Sequence, residues 1–219
     1  MSTPREQLLQ TLAEKSFRLG EFKLASGGTS DYYIDCRATT LSGEGARLVA
    51  RVFYDEIYNS GLKPTAVGGL TLGADPIVTA VAMLSAQRNQ GRAADRPGAI
   101  GEHFELDAFI VRKAEKTHGM QQRIEGFQKK GAKVFIVDDV CTTGGSTIEA
   151  IQASREFGFE VVGVLCLVER EEAGGRANIE KAAPGVPFVS VFTSDDVRAE
   201  HLRMKRHEDD PLANLQAAE

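Results

Sequence analysis

From residue 64 onward the chain alternates short, nearly continuous apolar runs with helical stretches. Residues 65–69, 108–112, 133–138 and 161–168 read as strands, with helices near 76–89 and 145–157. Strands that are apolar on both faces belong to a parallel sheet covered by helices on each side. The expected fold class is therefore α/β, with a doubly wound parallel sheet as its core. Sheets of this kind bind ligands outside the carboxyl ends of their strands, which directs the search for a site.

The flanking segments carry their own signals. Thr3, Pro4 and Glu6 form a capped helix start, and the apolar positions Leu8, Leu9, Leu12 and Phe17 suggest a helix that runs to Gly20. A second amphipathic helix is expected over 43–60, with Val49, Val52, Phe53 and Ile57 inward. Residues 32–36 read as a short strand, 90–98 as a turn, 188–192 as a last strand, and 209–219 as a frayed tail.

Bulk properties exclude several classes. With 219 residues the chain can bury a core without disulfides or a structural metal. The net charge of -5 argues against a nucleic-acid binder that acts through overall charge. No apolar run approaches the ~20 residues of a membrane span. The opening residues lack a basic segment followed by an apolar one, so a cytoplasmic location is expected. Cys36, Cys141 and Cys166 read as reduced thiols, with Cys141 an inert small side chain. The four histidines lack metal-binding spacing, so no zinc site is expected.

The segment VFIVDDVCTTGGST, residues 134–147, carries the chemistry. An apolar strand ends in Asp138 and Asp139, then passes through Thr142, Thr143, Gly144, Gly145 and Ser146 into a helix. Backbone N–H groups at a helix start cradle a phosphate, and glycines let it approach closely. Two acids at the strand end suit a vicinal diol. A Walker loop is excluded because the chain has no Gly-Lys dipeptide. GGLTLG and GEGARL both depart from the dinucleotide-binding fingerprint, and Ile148 stands where GxSxG requires its last glycine. A second segment, RKAEKTHG at 112–119, follows a buried strand and opens a stretch with local charge +4: residues 112–130 hold six Lys or Arg and two Glu. Such a concentration suits a diphosphate.

The first segment resembles the phosphoribosyl-diphosphate (PRPP) motif of type I phosphoribosyltransferases. The second resembles the RKxxKxHG catalytic loop of the orotate phosphoribosyltransferase family within them. Residues 21–37, EFKLASGGTSDYYIDCR, resemble that family's amino-terminal segment, and LCLVER at 165–170 resembles its orotate-binding strand. The pattern is departed from at Ala25, Gly28 and Leu72.

The resemblance implies Arg112, Lys113, Lys116 and His118 as catalytic residues on the diphosphate. It implies Asp138, Asp139, Thr142, Thr143, Gly144, Gly145 and Ser146 on PRPP, and Thr142, Arg170, Tyr33 and Ile34 on orotate. Mg2+ would arrive on PRPP without a dedicated protein site, and the chain would work as a homodimer on small molecules, with neither nucleic acid nor membrane as partner. A single domain is implied, with a core at about 41–168, a small hood at about 1–40 and 169–206, and a tail at 207–219. A purine phosphoribosyltransferase and a PRPP-sensing regulator of the same fold remain alternatives.

Overall fold

A computed structural model describes residues 2–23, 28–95, 105–113 and 123–208. In chain order the elements are α1 (Pro4–Lys15), β1 (Phe17–Lys23), β2 (Thr29–Ile34), α2 (Arg37–Thr40), α3 (Gly43–Asn59), β3 (Ala66–Leu70), α4 (Asp75–Asp95) and β4 (Asp107–Val111). There follow β5 (Ile124–Gly126), β6 (Lys133–Cys141), α5 (Gly145–Phe157), β7 (Glu160–Glu169), α6 (Gly175–Ala182), β8 (Phe188–Thr193) and α7 (Ser194–Glu208). Among the described residues no helix is long and apolar enough to cross a membrane.

The six-stranded sheet has the order β5-β4-β3-β6-β7-β8. Its five longer strands are parallel, and β5 joins antiparallel to β4 at one edge. The connection from β3 runs through α4 to one side, whereas that from β6 runs through α5 to the other. The strand order therefore reverses between β3 and β6, and the crevice beyond their carboxyl ends is where an open α/β sheet takes its ligand.

Both faces of the sheet are covered. Val67, Val137, Leu165 and Leu167 cluster with Leu12, Phe53, Ile57 and Ile77 on one side. Ala66, Ile136, Val164 and Cys166 cluster with Ala150, Ile151 and Ile179 on the other. This two-sided burial explains the continuous apolar runs.

Several expectations are corrected. The capping box forms as read, with the Glu6 N–H on Thr3 Oγ1 at 3.2 Å and the Thr3 N–H on Glu6 Oε2 at 2.7 Å. The helix nevertheless stops at Lys15, not Gly20. Ser16 is buried against Thr39, their hydroxyls 2.7 Å apart, and Phe17 begins β1, paired with Ile34 and stacked on Tyr32 at 5.4 Å. The expected turn at 90–98 is helical through Asp95. The tail from Asp209 lies outside the described residues. All three cysteines are free and buried.

Candidate active site

The site starts from β6. Its residues Val134, Phe135, Ile136 and Val137 are buried between β3 and β7, and the ladder to β3 ends at Ile136. β3 runs on to Leu70 beside Val137 before the loop that leads to α4, and Asp138 and Asp139 lie alongside that loop. The loop comes close: a Cβ on Gly73 would lie 2.5 Å from Asp139 Oδ1. Glycine at 73 is what lets the backbone pass over the carboxylate.

A cleft of about 280 Å3 opens here. Asp138, Asp139, Val140 and Ser146 form its floor, Leu70, Thr71, Leu72 and Gly73 one wall, and Tyr33, Ile34, Asp35, Cys36 and Arg37 another, with Lys113 at its edge. Thr142, Thr143 and Gly145 are exposed in the adjoining loop. Gly144 caps α5 in the left-handed region at φ 78°, and no side chain caps this helix. The first N–H groups of α5 are thus left without a side-chain acceptor, the arrangement that suits an anion.

The two acids are electrostatically primed. Burial pushes the Asp138 carboxyl up, to about 7, with a smaller contribution from the neighbouring Asp139; the Thr147 hydroxyl, donating to Asp138 Oδ2 at 2.7 Å, opposes the rise. Burial raises Asp139 as well. The cleft therefore favours a ligand that brings hydroxyl donors or positive charge to the pair. Among the described residues no three His, Cys, Asp or Glu side chains converge on a common point. Two neighbouring carboxylates with raised proton affinity still fit a divalent cation carried in on a phosphorylated ligand.

The expected residues fall into three groups. Asp138, Asp139, Ser146, Tyr33, Ile34 and Lys113 share the cleft, with Thr142, Thr143, Gly144 and Gly145 beside it. Arg112 is turned to Glu125 on β5, its Nη1 3.1 Å from Oε1, and does not line the cleft. Lys116 and His118 lie outside the described residues, as does Ala25. Arg170 lines a neighbouring cleft of about 400 Å3, with Thr29, Ser30, Asp31, Tyr32, Glu171 and Glu172. There its Nε donates to the Tyr32 hydroxyl at 2.8 Å and to Glu172 Oε1 at 3.0 Å. β2 separates the two clefts, with Tyr32 facing one and Tyr33 the other.

The individual roles of Asp35 and Arg37 were not legible in the sequence. Arg37 grips Asp35 through Nε at 2.8 Å and Nη2 at 2.9 Å. This bidentate pair holds the Asp35 carboxyl below its usual range and forms the cleft wall opposite Leu72. Leu72 itself has φ 77° and is exposed, so this wall presents backbone to a ligand.

Comparison with known proteins places this geometry. The phosphoribosyl transferase domain family matches residues 44–187, and the chain belongs to it. Its relatives narrow the assignment. The orotate phosphoribosyltransferase of Streptomyces avermitilis is 44% identical over 197 residues, covering 90% of this chain and 98% of that one. That of Aquifex aeolicus is 40% identical, covering 86% and 94%. The Mycobacterium tuberculosis orotate phosphoribosyltransferase in complex with PRPP superposes with a TM-score of 0.67 at 32% identity, covering 89% of this chain and 99% of that one.

Proposed function

We infer that the protein transfers ribose 5-phosphate from PRPP to orotate, giving orotidine 5'-monophosphate and diphosphate in pyrimidine biosynthesis. The observation that carries this reading is the juxtaposition, in one cleft, of the Asp138–Asp139 pair with the uncapped start of α5. The pair accepts hydrogen bonds from the ribose hydroxyls, and the N–H groups after Gly144, with the hydroxyls of Thr142, Thr143 and Ser146, hold the 5-phosphate. Together they fix the reactive carbon against the base, which supplies orientation.

As the bond from the ribose carbon to diphosphate breaks, negative charge grows on the leaving group. Lys113 is placed at the cleft edge to meet it, and we assign Lys116 and His118 the same task. Arg112 joins them by releasing Glu125, an exposed pair worth ~0–1 kcal/mol. Mg2+ carried in on PRPP would supply further neutralisation of this charge, and Asp138 and Asp139 are the carboxylates that would hold it. Orotate lies against the backbone of Tyr33 and Ile34 and beside Thr142, with Arg170 recruited to its carboxylate from the far side of β2. The hood comprises residues 1–40 and 169–206, the working unit is a homodimer, and the location is cytoplasmic.

The test mixes the protein with orotate, PRPP and Mg2+ and follows loss of orotate absorbance, with adenine, hypoxanthine and uracil as competing bases. Orotate loss that needs both PRPP and Mg2+ supports the reading. Consumption of another base instead would overturn the roles of Tyr33, Ile34 and Arg170.

A further inference from the structure

The loop 142–145 is shaped from outside by α6. A Cβ on Gly175 would lie 2.4 Å from the Thr142 carbonyl oxygen, 2.6 Å from Cys141 Sγ and 3.1 Å from the Gly144 nitrogen. From the other side, a Cβ on Gly144 would meet the Gly175 carbonyl oxygen and Ile179 Cγ1, each at 2.9 Å. The two backbones are in contact, and no side chain fits between them.

One side chain crosses the junction. Asn178 Nδ2 donates to the Thr143 carbonyl oxygen at 3.0 Å. That carbonyl shares a planar trans peptide with the Gly144 N–H, and the two point in opposite directions. A donor that holds the carbonyl toward α6 therefore aims the Gly144 N–H the other way. Among the described residues no other side chain donates to the Thr143 carbonyl.

α6 is in turn pinned to the sheet. Arg176 Nε donates to Glu169 Oε1 at 3.0 Å, and its Nη2 pairs with Glu169 Oε2. Arg176 also donates to the Phe188 carbonyl at 3.1 Å and to Ser190 Oγ at 3.2 Å. Glu169 is 2% exposed. This deep carboxylate is paired by the guanidinium fork and accepts a further hydrogen bond from the Ser190 hydroxyl at 2.8 Å. The brace is thus anchored on β7 and β8 and reaches the loop through Asn178.

We propose that Asn178 is a positioning residue, which through the Thr143 carbonyl orients the phosphate-holding loop for the 5-phosphate of PRPP, on a helix fixed by the Arg176–Glu169 pair. The proposal rests on the reading of that loop given above. Asn178 touches no substrate in this scheme; it acts on the loop's peptide planes. A loop with a left-handed glycine and no side-chain cap has many conformations available, and the brace selects one.

Isothermal titration with ribose 5-phosphate and, separately, inorganic diphosphate tests it. Asn178→Ala is expected to weaken ribose 5-phosphate binding about tenfold, the scale of one hydrogen bond. Diphosphate affinity, the KM for orotate and the melting temperature should stay unchanged. Asn178→Leu fills similar volume without a donor and should behave like alanine. Unchanged ribose 5-phosphate affinity in either variant, or equal loss for both ligands, would overturn the proposal alone. Absence of ribose 5-phosphate binding in the unaltered protein would overturn the reading of the loop, and the brace with it.

Discussion

Arg170 lies over the Tyr32 ring, its guanidinium carbon 4.6 Å from the ring centroid, and the same arginine donates to the tyrosine hydroxyl at 2.8 Å. Tyr32 in turn donates to Glu172 Oε1 at 2.6 Å. Partial burial would raise the Glu172 carboxyl, but hydrogen bonds from Tyr32, its own backbone and Arg170 hold it below its ordinary value. Arg170 is therefore held by a carboxylate of the protein itself, which a ligand carboxylate recruited to Arg170 would have to displace or share.

This arrangement predicts that Arg170→Ala raises the KM for orotate at least about tenfold while leaving that for PRPP unchanged. Lysine at this position should not restore it, since an ammonium neither stacks flat on Tyr32 nor forms a planar fork. Steady-state kinetics with each substrate varied in turn decides the matter; equal effects on both substrates would remove Arg170 from orotate recognition.

Asp138 predicts a pH dependence. Its pKa in the folded protein is raised to about 7, above the ~3.9 of an unfolded aspartate. An acid raised on folding contributes stability that is complete below the unfolded value and lost as pH rises through the folded one. The ligand-free protein should therefore melt at lower temperature at pH 8 than at pH 5. Asp138→Asn, which keeps an acceptor for Thr147, should flatten that slope and be the more stable protein at pH 8, while binding PRPP less well. Melting curves at the two pH values measure this, and parallel slopes for both proteins would refute it.

Lys113 and Arg112 are neighbours with different placements, one at the cleft and one on Glu125. Lys113→Ala should lower kcat by about 100-fold, on the scale of losing one donor to developing charge. Arg112→Ala should cost clearly less. Reversal of that order in steady-state rates would mean that Arg112, not Lys113, meets the leaving group.

A control separates stability from chemistry. A Cβ on Gly163 would lie 2.3 Å from the Phe135 ring, which packs over it from the adjacent strand. Gly163→Ala should destabilise the fold by ~1–3 kcal/mol through overpacking, with both KM values unchanged in the folded fraction. Chemical denaturation provides the measurement; an unaltered midpoint would show that the ring can move aside.

The parallel core was legible because burial on both faces writes itself as unbroken apolar runs, and the cleft because the paired acids Asp138 and Asp139 have no packing purpose at the end of such a strand. Elements with thin apolar faces were not legible. Only Gly175 and Ile179 of α6 are buried, β5 is three residues long, and α7 follows β8 directly on a stretch dense in charge. The end of α1 was misjudged because Gly20 reads as a helix stop in the sequence, while the Ser16–Thr39 contact beside the helix end is long-range. Glu169 and Arg176 were missed for the same reason, since a buried acid at a strand end looks like surface until its partner on the next helix is known.

The backbone contact between Gly144 and Gly175 limits how this protein can be rebuilt. Grafting residues 142–146 onto another strand-to-helix turn would carry over the donor groups but not the helix that dictates their shape. Lengthening the connection between β7 and α6 would disturb the loop at the start of α5 without altering any residue within it. In modular terms the anion pocket comprises two distant stretches of chain, and a library that varies one must vary the other in step.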